Sequence, residues 1–204
     1  MNAEDLSLAV PVGCLSPPPE MTVGVSYALL EDCRRGDVEA FHRLFLICKD
    51  RVYNIAYRFA GNEAEAGDIT QRVFVKLFTE LRRFRQDAQF STWLYRLVVN
   101  ACLDEYRRRR RFTPLEALSQ PAAATEANLE SRILRAELHQ AVWQAVAELS
   151  PKLRLPVVLK YVEGLSYEDI AAALGCSKGT VASRLNRAHR ALAGKLAHLR
   201  HVLD

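Results

Sequence analysis

The chain has little of what an enzyme or a membrane protein needs. No hydrophobic run is long enough to span a bilayer, so no membrane insertion is expected. The short apolar stretch LSLAVPVGC near the start ends in a cysteine, as a lipoprotein signal would. Glu4 and Asp5 precede it where a basic segment is required, and Pro11 interrupts it, so no signal peptide is expected. Cys14, Cys33, Cys48, Cys102 and Cys176 are odd in number and widely spaced, with no CxxC pair and no cysteine–histidine spacing that suits zinc. Reduced thiols and a cytoplasmic location follow as expectations, with Cys48 and Cys102 falling in apolar helical patterns. His42, His139, His189, His198 and His201 are scattered without ligand geometry. The sequence also lacks a Gly-rich phosphate loop and a nucleophile–base pair. No catalytic residue, metal, cofactor or small-molecule substrate is therefore expected, and the chain does not read as an enzyme. Nothing in it reads as a strand, and no internal repeat is evident.

What is present is helical periodicity and concentrated positive charge. Half of the 204 residues are apolar, enough for a packed core, and the net charge is only +4. The arginines are clustered: Arg82, Arg83 and Arg85 precede one helix, and Arg107 to Arg111 form an unbroken run at its end. Such a run is commonly a solvated helix end, but a pure arginine block also suits phosphate contact.

The organisation is all-α, with two small helical domains joined by a flexible linker. Residues 1–25, including Pro17-Pro18-Pro19, form a Pro-rich extension expected to be disordered. Residues 26–111 form the first domain. Its apolar positions predict two helices broken around Arg35-Gly36-Asp37 and ended at Gly61-Asn62. A third helix follows from Glu63 to Phe84, then a loop from Arg85 to Phe90, then a helix capped by Ser91 that carries Leu94, Leu97, Val98, Ala101 and Cys102. Residues 112–128 read as linker, because Pro114, Pro121 and an alanine-rich stretch break the pattern. Residues 129–204 form the second domain, where Ser150-Pro151 opens a helix and Pro156 is expected to kink it. Each domain is small enough that its core is marginal and gains from a partner.

The most informative stretch is residues 164–192, GLSYEDIAAALGCSKGTVASRLNRAHRAL. It predicts a helix capped by Ser166, a turn at Gly175-Cys176, and a second helix capped by Ser177. Val181, Leu185, Ala188 and Leu192 recur at helical spacing as one buried stripe. Lys178, Ser183, Arg187 and Arg190 lie opposite, with Thr180 and Arg184 at the flanks. A basic, hydroxyl-bearing helix of this kind fits a DNA major groove.

Together with AEAGDITQRVFVKLF (64–78) and FRQDAQFSTWLYRLVVNACLDEYRRRRR (84–111), this stretch resembles the extracytoplasmic-function (ECF) group of bacterial RNA polymerase sigma factors, in the sigma-70 family. The three segments occur in the family's order. The resemblance implies a sigma domain 2 followed by a helix-turn-helix domain 4, and a factor that directs core polymerase to promoters and assists melting of the −10 element. It places Asp68, Gln71 and Arg72 on the β′ clamp helices of polymerase, Arg72 standing where the family usually has glutamate. It places Arg85, Gln89, Phe90, Ser91, Thr92, Arg107 and Arg108 at the −10 element, where a base must be flipped and held. Phe90, Trp93 and Tyr95 could offer stacking surfaces, although Trp93 fits the apolar face better as core. Ser177, Lys178, Thr180, Ser183, Arg184 and Arg187 fall at the −35 element, with Ala182 where the family often has a basic residue. The implied partners are core RNA polymerase, through the β′ clamp helices and the β flap, promoter DNA, and an anti-sigma factor. The alternative is a helix-turn-helix repressor or activator that binds duplex DNA without polymerase; it leaves residues 64–111 unexplained.

Overall fold

The computed structural model describes residues 25–84, 89–112 and 129–199. The Pro-rich extension, Arg85 with the loop residues 86–88, and linker residues 113–128 lie outside the described residues. Among those described are eight α-helices and no strand: α1 (Tyr27–Arg34), α2 (Val38–Ala60), α3 (Glu63–Glu80), α4 (Phe90–Phe112), α5 (Leu129–Ala147), α6 (Pro151–Tyr161), α7 (Tyr167–Leu174) and α8 (Lys178–Lys195).

Local chemistry sets the helix starts. Ser26, Asp37 and Asn62 each accept a hydrogen bond from the backbone N–H three residues on, at 3.2, 3.0 and 2.9 Å. Each satisfies an amide that has no partner inside its helix, which stabilises by about 1 kcal/mol. The break at Arg35-Gly36-Asp37 and the end at Gly61 fall where expected, both glycines adopting positive φ.

Two boundaries differ from expectation. The third helix ends at Glu80, and a single 3-10 turn, Leu81–Arg83, carries the chain to Phe84. Helix α4 starts at Phe90, because the Gln89 carbonyl accepts the Trp93 N–H at 3.2 Å. Ser91 thus sits inside the first turn and is not the cap. Helix α6 runs through Pro156, which is buried. The carbonyl that loses its donor there belongs to Lys152, at an exposed position.

Helices α1–α4 pack around Leu44, Ile55, Ile69, Leu77 and Val98, and α5–α8 around Leu155, Leu159, Ile170 and Leu185. These two clusters are one continuous buried set, for α4 packs on α7, and α2 packs on α5 and α6. Neither small core stands alone; each covers part of the other. The reason is visible in α4. Leu94, Val98, Ala101 and Cys102 form the stripe read from the sequence, and Tyr95 and Val99 add a second stripe beside it. A helix apolar over so wide an arc needs cover on two sides.

Candidate nucleic-acid interface

The helix-turn-helix is set by its caps and one glycine. Ser166 Oγ accepts the Asp169 N–H at 3.1 Å, capping α7, and donates to Asp169 Oδ2 at 2.6 Å. Gly175 ends α7 in the left-handed region, at φ +61°, and the following Cys176 N–H returns to the Ala171 carbonyl at 3.0 Å. Ser177 then opens α8 by accepting the Thr180 N–H at 3.2 Å.

Val181, Leu185, Ala188 and Leu192 are buried, as their spacing predicts. Lys178, Ser183, Arg187 and Arg190 are exposed, and Thr180 and Arg184 are half-buried at the edges of that face. The polar side chains brace one another. Ser177 and Thr180 share a hydroxyl contact at 2.9 Å, Ser183 donates to the Thr180 carbonyl at 3.2 Å, and Arg187 Nε donates to the Ser183 carbonyl at 3.3 Å. Lys178 pairs with Glu168 of α7, and this neighbour holds the Glu168 carboxyl below its ordinary value. Both groups are well exposed, so the pair adds little to stability. Arg184 reaches back to Cys176 Sγ at 3.9 Å, which holds its guanidinium over the turn.

Helix α3 presents a second surface. Asp68 and Gln71 are exposed. Beside Gln71 an open apolar groove runs between α2 and α3, walled by Phe41, Phe45, Phe74, Val75 and Phe78. Its rings meet edge to face, Phe41 on Phe78 at 4.9 Å and Phe45 on Phe74 at 4.6 Å. Val75 and Phe78 are each more than half exposed, at 57% and 55%. Arg72 points elsewhere. Its Nη1 lies 2.5 Å from Glu105 Oε2, a buried carboxylate on α4. Arg72 thus pairs with an internal acid.

The arginine run is divided among internal partners. Arg107 meets Asp104 at 3.0 Å. Arg108 meets Glu105 at 2.9 Å and approaches Asp68 at 3.8 Å. Arg109 meets Glu65 of α3 at 2.7 Å, and Arg110 lies over the Tyr106 ring. The Arg107–Asp104 and Arg108–Glu105 pairs lie within α4 at helical spacing, whereas the contacts to Glu65 and Asp68 fasten α4 to α3 and need the tertiary packing to be seen.

The candidate −10 residues separate into two groups. Gln89 is exposed, and Ser91 and Thr92 are half-buried. Phe90 is buried: its ring stands edge-on to Phe84, and Trp93 lies 4.8 Å from Phe84. These rings pin together the two ends of the loop, so Phe90 is an anchor and not a free stacking surface. Trp93, half-buried, packs with them as core. Tyr95 is also no stacking surface, for it is buried against the second domain.

Tyr95 leads to a cluster that sequence reasoning missed. Its hydroxyl donates to Glu163 Oε2 at 2.9 Å across 68 residues of sequence, and Arg51 Nε of α2 lies 3.3 Å from the same oxygen. Glu163 is 5% exposed, and burial pushes its carboxyl above the ordinary value despite both partners. Alongside, Arg154 of α6 donates to the Phe59 carbonyl of α2 at 2.6 Å, and the Arg58 guanidinium sits 4.2 Å from the Trp143 ring centre. One local signal existed. Glu163 follows the C-terminal turn of α6, where the helix dipole disfavours an acid.

Comparison with known proteins finds relatives for both helical halves. The sigma-70 region 2 family matches residues 44–112, and the sigma-70 region 4 family matches residues 139–192. The chain is 35% identical over 173 residues to the RNA polymerase sigma-H factor of Pseudomonas aeruginosa, covering 80% of this chain and 90% of that one. It is 32% identical over 182 residues to the ECF RNA polymerase sigma factor SigW of Bacillus subtilis, covering 83% and 96%. It is 34% identical over 180 residues to the ECF RNA polymerase sigma-E factor of Escherichia coli, covering 84% and 94%. Two solved structures share the fold at 25% identity. One is CnrH in complex with the cytosolic domain of CnrY, with a TM-score of 0.62 over 84% of this chain and 96% of that one. The other is the sigma factor RpoE in complex with the anti-sigma factor NepR from Bartonella quintana, with a TM-score of 0.61 over 78% and 98%. The chain belongs to the ECF group of sigma-70 family RNA polymerase sigma factors, which direct RNA polymerase in transcription initiation.

Proposed function

We propose that residues 26–111 act as sigma domain 2 and residues 129–204 as domain 4, working in the cytoplasm on core polymerase and promoter DNA. The exposed face of α3, with Asp68 and Gln71 beside the aromatic groove, docks on the β′ clamp helices. Domain 4 docks on the β flap. Arg85, Gln89, Ser91 and Thr92 hold a base flipped from the −10 element, while Arg107 and Arg108 trade carboxylate partners for backbone phosphates. Unstacking the base costs a few kcal/mol, which those phosphate contacts offset.

In domain 4 the N-terminal half of α8 enters the major groove at the −35 element. The free N–H groups after Ser177, with Thr180, suit phosphate. Lys178, Ser183, Arg184 and Arg187 suit base edges and flanking phosphates, an arginine on guanine giving roughly 1–3 kcal/mol of discrimination. The solved neighbours bound to CnrY and to NepR support an anti-sigma partner for this chain as well. No bond chemistry is assigned to the chain.

The observation that carries this reading is the exposed basic face of α8 opposite its buried stripe, in one chain with the exposed face of α3. Two substitutions separate the roles. Arg187→Ala should lower −35-dependent transcription about tenfold or more while binding to core polymerase persists. Asp68→Ala should weaken core binding while full-length protein still binds −35 duplex DNA. Equal loss of core binding in Arg187→Ala, or unchanged core affinity in Asp68→Ala, would remove that residue from its assigned surface.

A further inference from the structure

We propose that residues 6–12 dock in the apolar groove between α2 and α3 of the same molecule and compete there with core polymerase. The competition, though not the docking, rests on the function proposed above.

The groove has the features of a site for an extended peptide. It is open, with a volume of 520 Å³, and Tyr53, Gly67 and Thr70 line it beside the phenylalanines. Gly67 lies inside α3, where a glycine weakens the helix, and a Cβ there would meet nothing. That stretch of wall is bare enough for the close approach of a backbone. Thr70 Oγ1 is buried and has no hydrogen-bond partner among the described residues, so it can donate to a peptide carbonyl. Val38, one turn before Phe41, is 75% exposed and lengthens the apolar strip.

Residues 1–24 match this groove in pattern, length, reach and charge. Leu6, Leu8, Val10 and Val12 stand at every second position, which puts four aliphatic side chains on one face of an extended segment. Pro11 among them opposes a helix and is compatible with an extended backbone. Extended, the segment spans about 20 Å. Helix α2 measures about 18 Å from Phe41 to Tyr53. The described chain begins at Val25, which packs on the core, and the α1 that follows lies on α2 and on the 3-10 turn after α3. From Val25 back to Val12 the chain can reach about 40 Å. That exceeds the length of α1, about 12 Å, and of the groove together. Residues 1–24 carry Glu4, Asp5 and Glu20 and no lysine, arginine or histidine. Lys49 stands one helical turn from both Phe45 and Tyr53, on the ridge of α2 that walls the groove, and can receive the acids beside Leu6.

Tethering makes a weak contact sufficient. A short link gives an effective concentration in the millimolar range, so an intrinsic affinity of about 0.1 mM fills the groove in roughly nine molecules of ten. The open tenth alone accepts polymerase, and apparent core affinity falls about tenfold.

The test reads docking and core binding separately, on the full chain. A nitroxide is placed on Cys14 with Cys176→Ser, since Cys33, Cys48 and Cys102 are buried. Amide signals of Gly67, Gln71 and Val75 should broaden, and those of Ser183 and Arg187 should stay sharp. Leu8→Ser with Val10→Ser should sharpen the groove signals, and Lys49→Glu should do so in part. Core affinity should rise about tenfold in the Leu8→Ser, Val10→Ser chain, because the groove is then open. Sharp groove signals in the parent, or broadening that survives Leu8→Ser with Val10→Ser, overturns the docking. Mixing the spin-labelled chain with an isotope-labelled chain bearing Cys14→Ser separates the occupants. Broadening between molecules assigns the groove to a second copy and overturns docking within one chain. Loss of docking with unchanged core affinity overturns the competition. Absence of core binding in parent and variant alike overturns the polymerase reading, while the nitroxide measurement still judges the docking.

Discussion

Arg72 offers a sharp test of how the first helical unit is built. Its guanidinium holds Glu105 Oε2 at 2.5 Å, while Arg108 holds Oε1 at 2.9 Å. The Glu105 side chain is only 4% exposed and Arg72 is 36% exposed. Removing one member of a fully buried pair costs about 3–5 kcal/mol. Here Arg108 remains, and water can reach the vacated place, so Arg72→Ala should cost about half of that, roughly 2 kcal/mol. For a chain of this size that lowers Tm by about 4–8 °C. Arg72→Glu sets two carboxylates face to face and should cost more than Arg72→Ala. Thermal and urea melts followed by circular dichroism measure this. A double-mutant cycle with Glu105→Gln should return a coupling of about 1–2 kcal/mol. Stability within about 0.5 kcal/mol of the parent, the range of ordinary surface substitutions, would refute the internal role of Arg72.

Two further outcomes follow from the same packing. Burial alone would raise the Glu105 carboxyl, but hydrogen bonds from Arg108 and Arg72 outweigh it and hold it below the ordinary value of 4.5. A carboxyl lowered in the folded state contributes stability that is full above its unfolded value and lost as pH falls through the folded one. Urea midpoints should therefore fall more steeply below pH 4.5 in the parent than in Glu105→Gln, and equal slopes would contradict the pairing. Gly175 sits at φ +61° with open space where a Cβ would project, so Gly175→Ala carries only the backbone cost, about 1 kcal/mol. Gly67, inside α3 with equally open space, should respond oppositely, Gly67→Ala raising Tm by a few degrees. Equal shifts in both would contradict the conformational argument.

What could be read from the sequence was what is local. The caps at Ser166 and Ser177, the turn at Gly175 and the buried stripe from Val181 to Leu192 depend on residues within a few positions of one another. The break at Arg35-Gly36-Asp37 is of the same kind. What escaped depends on helices far apart in sequence. Tyr95 is buried by packing that no local pattern announces, and its partner Glu163 lies 68 residues away. The arginine run's tie to α3 is not legible locally, because Glu65 reaches Arg109 only once α3 and α4 pack together. Phe90 read as a loop residue because its partner Phe84 stands across residues the local pattern cannot close. Ser91 as a cap was a displacement of one residue in a helix start, where the backbone at Gln89 decides and no side chain announces it.

Binding and transcription with purified core RNA polymerase test the central claim most directly. The full chain, mixed with core and a pool of genomic promoter fragments, should form a stoichiometric complex and give new, discrete start sites. Each start should be preceded by paired elements at the −10 and −35 positions, and Arg187→Ala should silence them without dissolving the complex. A chain that leaves core unbound and instead binds a specific duplex by itself would contradict the claim and leave the helix-turn-helix as that of a repressor or activator.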